Sequence, residues 1–217
     1  MIILTDARLY PGLAILCTVV AAALSVPPLR SIIEQSMAWH MVFQMPLLVM
    51  GGWLAGRAGR ALLPLGRQKH VAKHQAKHLA EHLAKFNYFG LTGFMAAQAI
   101  VAYWMLPTAI DRAVVNPGFD AIKLLTLFVS GLLLRGAFMQ APLALQLFFM
   151  GYWVSMMCWL GIYFATTDLR LCNAYSQASQ VTTGWALLAL GLMLGSAWLG
   201  FAVYRSTANA RLDGRRL

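Results

Sequence analysis

Charge is scarce in this 217-residue chain: 11% of its residues are Asp, Glu, Lys or Arg, against roughly a quarter in an average soluble domain. So few charges cannot coat a water-soluble domain of this length, which excludes a free-standing soluble enzyme. Acidic residues are scarcest, 7 against 17 basic, and too scattered to propose a carboxylate dyad. No nucleophile–base arrangement, phosphate-binding loop or soluble zinc signature occurs, and we expect no enzymatic turnover. The three cysteines, Cys17, Cys158 and Cys172, form no C-x-x-C pattern. Cys17 and Cys158 lie inside apolar runs, where a free thiol behaves as a small hydrophobe.

What is present is apolar. Hydrophobic residues make up 60% of the chain and the mean hydropathy is +0.65. They come in six blocks, approximately Tyr10–Pro28, Met37–Gly56, Phe86–Leu106, Phe119–Phe138, Ala141–Phe164 and Thr182–Tyr204. Each approaches the ~20 residues needed to cross a bilayer, and a helix is the only open element that hydrocarbon tolerates. The expected fold is all-α: one polytopic transmembrane bundle of about six spans, residues 1–217. The first block resembles a signal peptide, but its charged lead is weak, with Asp6 opposing Arg8. We read it as the first span.

The formal net charge is +10, and its distribution gives an orientation. With the 57–85 connection in the cytoplasm, 13 Lys and Arg lie inside, while Arg30, Arg112, Lys123 and Arg170 lie outside or at the outer boundary. The positive-inside rule then puts both termini in the cytoplasm of a bacterial inner membrane. The basic excess has this cause rather than nucleic-acid binding, for which no motif is present.

The 57–85 connection holds a four-residue repeat in which His70, His74, His78 and His82 recur among Lys and Ala. Good helix formers without Gly or Pro predict a basic cytoplasmic helix. A four-residue step drifts ~40° per repeat, so neighbouring histidines can chelate a metal but all four cannot converge on one ion. A solvated helix held near anionic lipid is the simpler reading.

The start of the second span reads Met37-Ala38-Trp39-His40-Met41-Val42-Phe43-Gln44-Met45-Pro46. Residues three and four apart are neighbours on a helix, so Met37 sits beside His40 and Met41, near the outer surface. Thioethers with imidazole suit Cu(I), and ionisable groups in a span are functional candidates by default. Packing by Met, with His40 bonded to a carbonyl, is the bland alternative. His40 is the one histidine in any span, which disfavours a bis-histidine haem and leaves His/Met ligation open. The Trp104-Met105-Leu106-Pro107 stretch, with Asp111 and Arg112, closes the third span on the outer side. Asp120 and Lys123 open the fourth span, three apart, a spacing that allows an ion pair.

At these segments the chain resembles CtaG-type cytochrome c oxidase assembly factors. The likeness rests on His40-Met41 followed by Met45-Pro46-Leu47-Leu48-Val49-Met50-Gly51. It rests equally on Trp104-Met105-Leu106-Pro107 with Asp111 and Ala113. Where that family carries further histidines, this chain has Gln44 or Met45 and Met105, a more sulfur-rich set. The resemblance implies help in building a haem–copper oxidase through copper delivery on the outer side. On that expectation His40, Met37, Met41 and Met105 hold the metal, with Met156, Met157 and Cys158 as weaker additions and the four tract histidines as a separate metal candidate. The expected partners are membrane lipid and respiratory-complex subunits. Two rivals remain: a non-catalytic accessory subunit of an oxidase or copper monooxygenase, and a small transporter or channel.

Overall fold

Apolar runs become helices here, and Pro, Gly and Asn end them. The computed structural model describes residues 9–24, 26, 36–62 and 88–213. Helix α1 spans Leu9–Ala23. A π-helical segment, Trp39–Gln44, runs directly into α2, Met45–Leu62. A 3-10 turn at Tyr88–Gly90 leads into α3, Leu91–Trp104. Then follow α4, Pro107–Val115, α5, Pro117–Gln140, α6, Leu143–Thr166, and α7, Gln177–Asp213. No strand occurs among the described residues.

Local chemistry sets the boundaries. Pro107 and Pro117 occupy the first turns of α4 and α5, where a missing N–H costs nothing. The Asn116 side chain caps α5, accepting hydrogen bonds from the N–H groups of Gly118 at 2.9 Å and Phe119 at 3.4 Å. Gly90 takes a left-handed conformation, φ 76°, which a residue without Cβ adopts at little cost. A methyl there would also lie 2.6 Å from the Ala137 carbonyl oxygen, so α3 begins pressed against the C-terminal end of α5.

The chain divides into two compact units, one reaching Ala141 and including Leu171–Tyr175, the other formed by Pro142–Arg170 and the chain from Ser176 onward. In the first unit, Gln44 Nε2 donates to the Ala21 carbonyl and Gly51 packs on Thr18, so α1 and α2 are antiparallel. Gly52 meets Gly131 and Gly56 meets Arg135, so α2 and α5 run in the same direction. At Gly52 an added methyl would overlap the Phe128 carbonyl, and at Gly131 that of Val49. Helix α3 is antiparallel to α5, with Phe94 against Phe138 at one end and Trp104 against Phe119 at the other. The loop at Leu171–Tyr175 is tied to α4: Asp111 accepts N–H bonds from Asn173 at 2.9 Å and Ala174 at 3.1 Å.

The second unit is an antiparallel pair. Gly161 and Gly184 let α6 and α7 touch backbone to backbone, since a methyl on Gly161 would lie 2.7 Å from the Gly184 carbonyl oxygen. Close approach through small residues is the usual way helices associate in lipid.

Among the described residues, three helices are long and apolar enough to cross a membrane: Pro117–Gln140, Leu143–Thr166 and the Gln177–Thr207 part of α7. A fourth crossing is counted if α3 and α4, bent by 69° at Met105–Leu106, form one span. The sequence pattern suggested six. The difference lies in the first two blocks and the third. Among the described residues α1 has 15, short of the ~20 of a straight crossing, α2 carries Arg57 and Arg60 near its end, and α3 has 14 before the bend at Met105–Leu106. Of the expected basic connection, residues 57–62 continue α2, and the histidine repeat lies outside the described residues.

Candidate functional site

The segment around His40 is set by an irregularity in its helix. Between Trp39 and Gln44 the backbone adopts π-helical spacing, and the Met45 N–H donates to the His40 carbonyl five residues back. The wider turn re-aims side chains, and such turns recur at functional sites. Met37, His40, Met41, Gln44, Met45 and Leu48 are all buried. Trp39 and Phe43 face out and meet edge to face at 5.2 Å. Met37 and Met41 thus share the buried face with His40, as the helical spacing suggested.

The partner of His40 is on α5. Lys123 Nζ lies 3.0 Å from His40 Nε2 and forms an ion pair with Asp120 Oδ1 one turn earlier. Lys123 has no solvent-exposed surface, and Asp120 is buried. A lysine side chain on a helix points back toward the N-terminus, which carries the ammonium from its own turn toward Asp120 and His40. An ammonium has three donors and no acceptor. With Lys123 charged, as its pairing with Asp120 implies, it donates to both neighbours, and His40 then accepts at Nε2 and carries its ring proton on Nδ1. The parallel α2–α5 crossing at Gly52 and Gly131 sets this meeting, because it places the N-terminal ends of both helices at one end of the unit.

Met105 is buried at the C-terminal end of α3. Its neighbour Trp104 donates Nε1–H to Thr126 Oγ1 at 2.8 Å, and Thr126 donates in turn to the carbonyls of Ile122 and Lys123. The end of α3 thus docks on the stretch of α5 that carries Lys123. Met156, Met157 and Cys158 belong to α6 in the other unit, where Met157 and Cys158 pack on Gly191. His70, His74, His78 and His82 lie outside the described residues.

Sequence reasoning singled out His40, Met37 and Met41, which are buried together, and assigned Lys123 to the membrane boundary. Lys123 is the seventh residue of α5, about 9 Å along the axis from its start at ~1.5 Å per residue. A lone lysine that deep in an apolar run was the available signal.

Among the described residues no group of three or more His, Cys, Asp or Glu gathers to hold a metal, so a hard-ligand cage is absent there. The donors on the buried face are soft and neutral, a set suited to Cu(I), and the Nε2 lone pair of His40 is engaged by Lys123. No family model matches the chain, and no curated protein or solved structure matches it either.

Proposed function

We propose that the chain is a six-span protein of the bacterial inner membrane, with both termini cytoplasmic, that assists the assembly or copper loading of a respiratory haem–copper oxidase. It does so as a partner of the oxidase subunits, without catalytic turnover of its own. The observation that carries this reading is the burial of His40 with Met37 and Met41 on one helix face. Neutral sulfur and imidazole donors hold Cu(I) without placing a carboxylate against the ion. The likeness of the His40-Met41 and Trp104-Pro107 stretches to CtaG-type assembly factors supports the same reading, with Met105 as a further ligand.

The experiment is copper per protein, together with the yield of active oxidase, in membranes carrying His40→Ala, Met37→Leu or Met41→Leu. Met193→Leu, an exposed residue of α7, is the control. The reading expects less copper and less oxidase in the three variants with unchanged protein level. Control-level copper and oxidase in all three would reduce the face to packing.

A second reading, a small ion transporter, draws on the buried Asp120–Lys123–His40 chain, since intramembrane ionisable groups mark ion paths. Ion flux into proteoliposomes of the purified protein that His40→Ala abolishes would favour it over copper loading. Purification in a stoichiometric complex with unaltered activity in the His40→Ala form would instead favour an accessory subunit.

A further inference from the structure

We infer that Lys123 is a built-in competitor for the metal at His40, an internal cation that occupies the Nε2 lone pair until copper takes it. The inference rests on the copper reading above and adds the residue that sets the affinity of the site.

One lone pair serves one partner. Nε2 of His40 accepts from Lys123 Nζ at 3.0 Å, so it cannot bind a metal ion while that hydrogen bond stands. The ammonium also repels any cation brought to the ring, and both groups are buried, where charges are screened poorly. Asp120 supplies the alternative. The ammonium is already paired with this carboxylate, so it can release His40 and keep an ionic partner. Without Asp120, release would strip the buried ammonium of this carboxylate as well as of His40, at high cost. Lys123 therefore lowers copper affinity, and Asp120 limits how far it is lowered. A site that holds copper loosely suits delivery to another protein better than storage.

These roles predict opposite signs, which a merely structural ion pair would not produce. The test is competition for Cu(I) between a chromophoric chelator, bicinchoninate, and the detergent-solubilised full-length protein. The proteins compared are the wild type, Asp120→Asn, Lys123→Met, the Asp120→Asn/Lys123→Met double variant and His40→Ala. The double variant carries neither charge, so it keeps the test available if Lys123→Met alone does not fold.

The double variant is expected to bind Cu(I) at least about tenfold more tightly than wild type, and Asp120→Asn at least about tenfold more weakly, as close charges in a low-dielectric setting imply. A double variant within twofold of wild type, with His40→Ala still losing copper, would overturn the competitor and leave the copper reading intact. Equal copper affinity in wild type and His40→Ala would overturn both.

Discussion

Lys123 and His40 meet side chain to side chain, Nζ to Nε2 at 3.0 Å, across 83 positions of sequence. The pair joins two parallel helices near one end of the first unit, and Asp120 completes it as a chain of three ionisable groups. A buried ion pair is weak grounds for stability, because desolvation offsets most of the Coulomb gain. Removing one partner is a different matter.

Lys123→Met alone is expected to destabilise the protein by ~3 kcal/mol, the lower end for a broken buried pair, since the Asp120 side chain keeps 12% exposure. The double Asp120→Asn/Lys123→Met variant should recover most of that loss. Unfolding in mixed detergent measures both. A double variant less stable than the sum of the two single changes would show that Asp120 and Lys123 are not a coupled pair.

The α2–α5 crossing gives a second expectation. Gly131→Ala forces a methyl against the Val49 carbonyl, and backbone cannot rotate away as a side chain can. A cost of at least ~2 kcal/mol is expected, in line with overpacking of a tight contact. The same substitution at Gly136, which has nothing within 4 Å, should be neutral or stabilise by ~0.5 kcal/mol through helix propensity. Thermal unfolding of the purified variants separates the two.

Asp111 holds the Leu171–Tyr175 loop through two backbone N–H groups, and Cys172 in that loop is buried, its thiol 3.9 Å from the Pro107 carbonyl oxygen. Asp111→Ala should cost only ~1 kcal/mol, because hydrogen bonds open to water contribute modestly. It should raise the maleimide labelling rate of Cys172 about fivefold, the factor that ~1 kcal/mol of easier opening gives. With Cys17 and Cys158 changed to Ser, labelling reports this loop alone. An unchanged rate would show that Asp111 does not hold it closed.

Much of this was legible in the sequence, and the illegible part has a physical cause. Apolar block length located α5, α6 and α7 because a helix must follow wherever hydrocarbon surrounds the backbone. The Asp120–Lys123 pair was legible from its spacing, and the Trp104–Pro107 stretch was legible as the end of the third apolar block, where α3 stops. His40 stood out as a histidine in an apolar run. The π-turn at Trp39–Gln44 left no mark, since five-residue hydrogen bonding depends on packing around the segment rather than on its composition. The Lys123–His40 contact was hidden for another reason. Periodicity reports which face of a helix is buried and not which helix covers it, and the Gly52–Gly131 crossing that aligns the two side chains is a three-dimensional fact. A boundary charge matches the place of Lys123 near the start of α5 and is silent about its depth.

The proposed six-span topology makes the last prediction. In the first unit α1 and α2 are antiparallel, α2 and α5 parallel, and α3 and α5 antiparallel. That is the sense expected if α1, α2, α3 and α5 cross in alternating directions. Arg57 and Arg135 then share one end, with His40 and Lys123 at the other. Under the proposed six-span topology, 13 of the 17 basic residues fall on the Arg57 side, which the positive-inside rule assigns to the cytoplasm. The test uses a protein with Cys17, Cys158 and Cys172 changed to Ser and a single cysteine introduced by Lys77→Cys or Arg170→Cys. A membrane-impermeant maleimide applied to spheroplasts should label Arg170→Cys and leave Lys77→Cys unlabelled until the membrane is opened. Labelling of Lys77→Cys in sealed spheroplasts would invert the orientation and move the His40 site to the cytoplasmic side. Copper delivery to the outer face of an oxidase would then have no route through it.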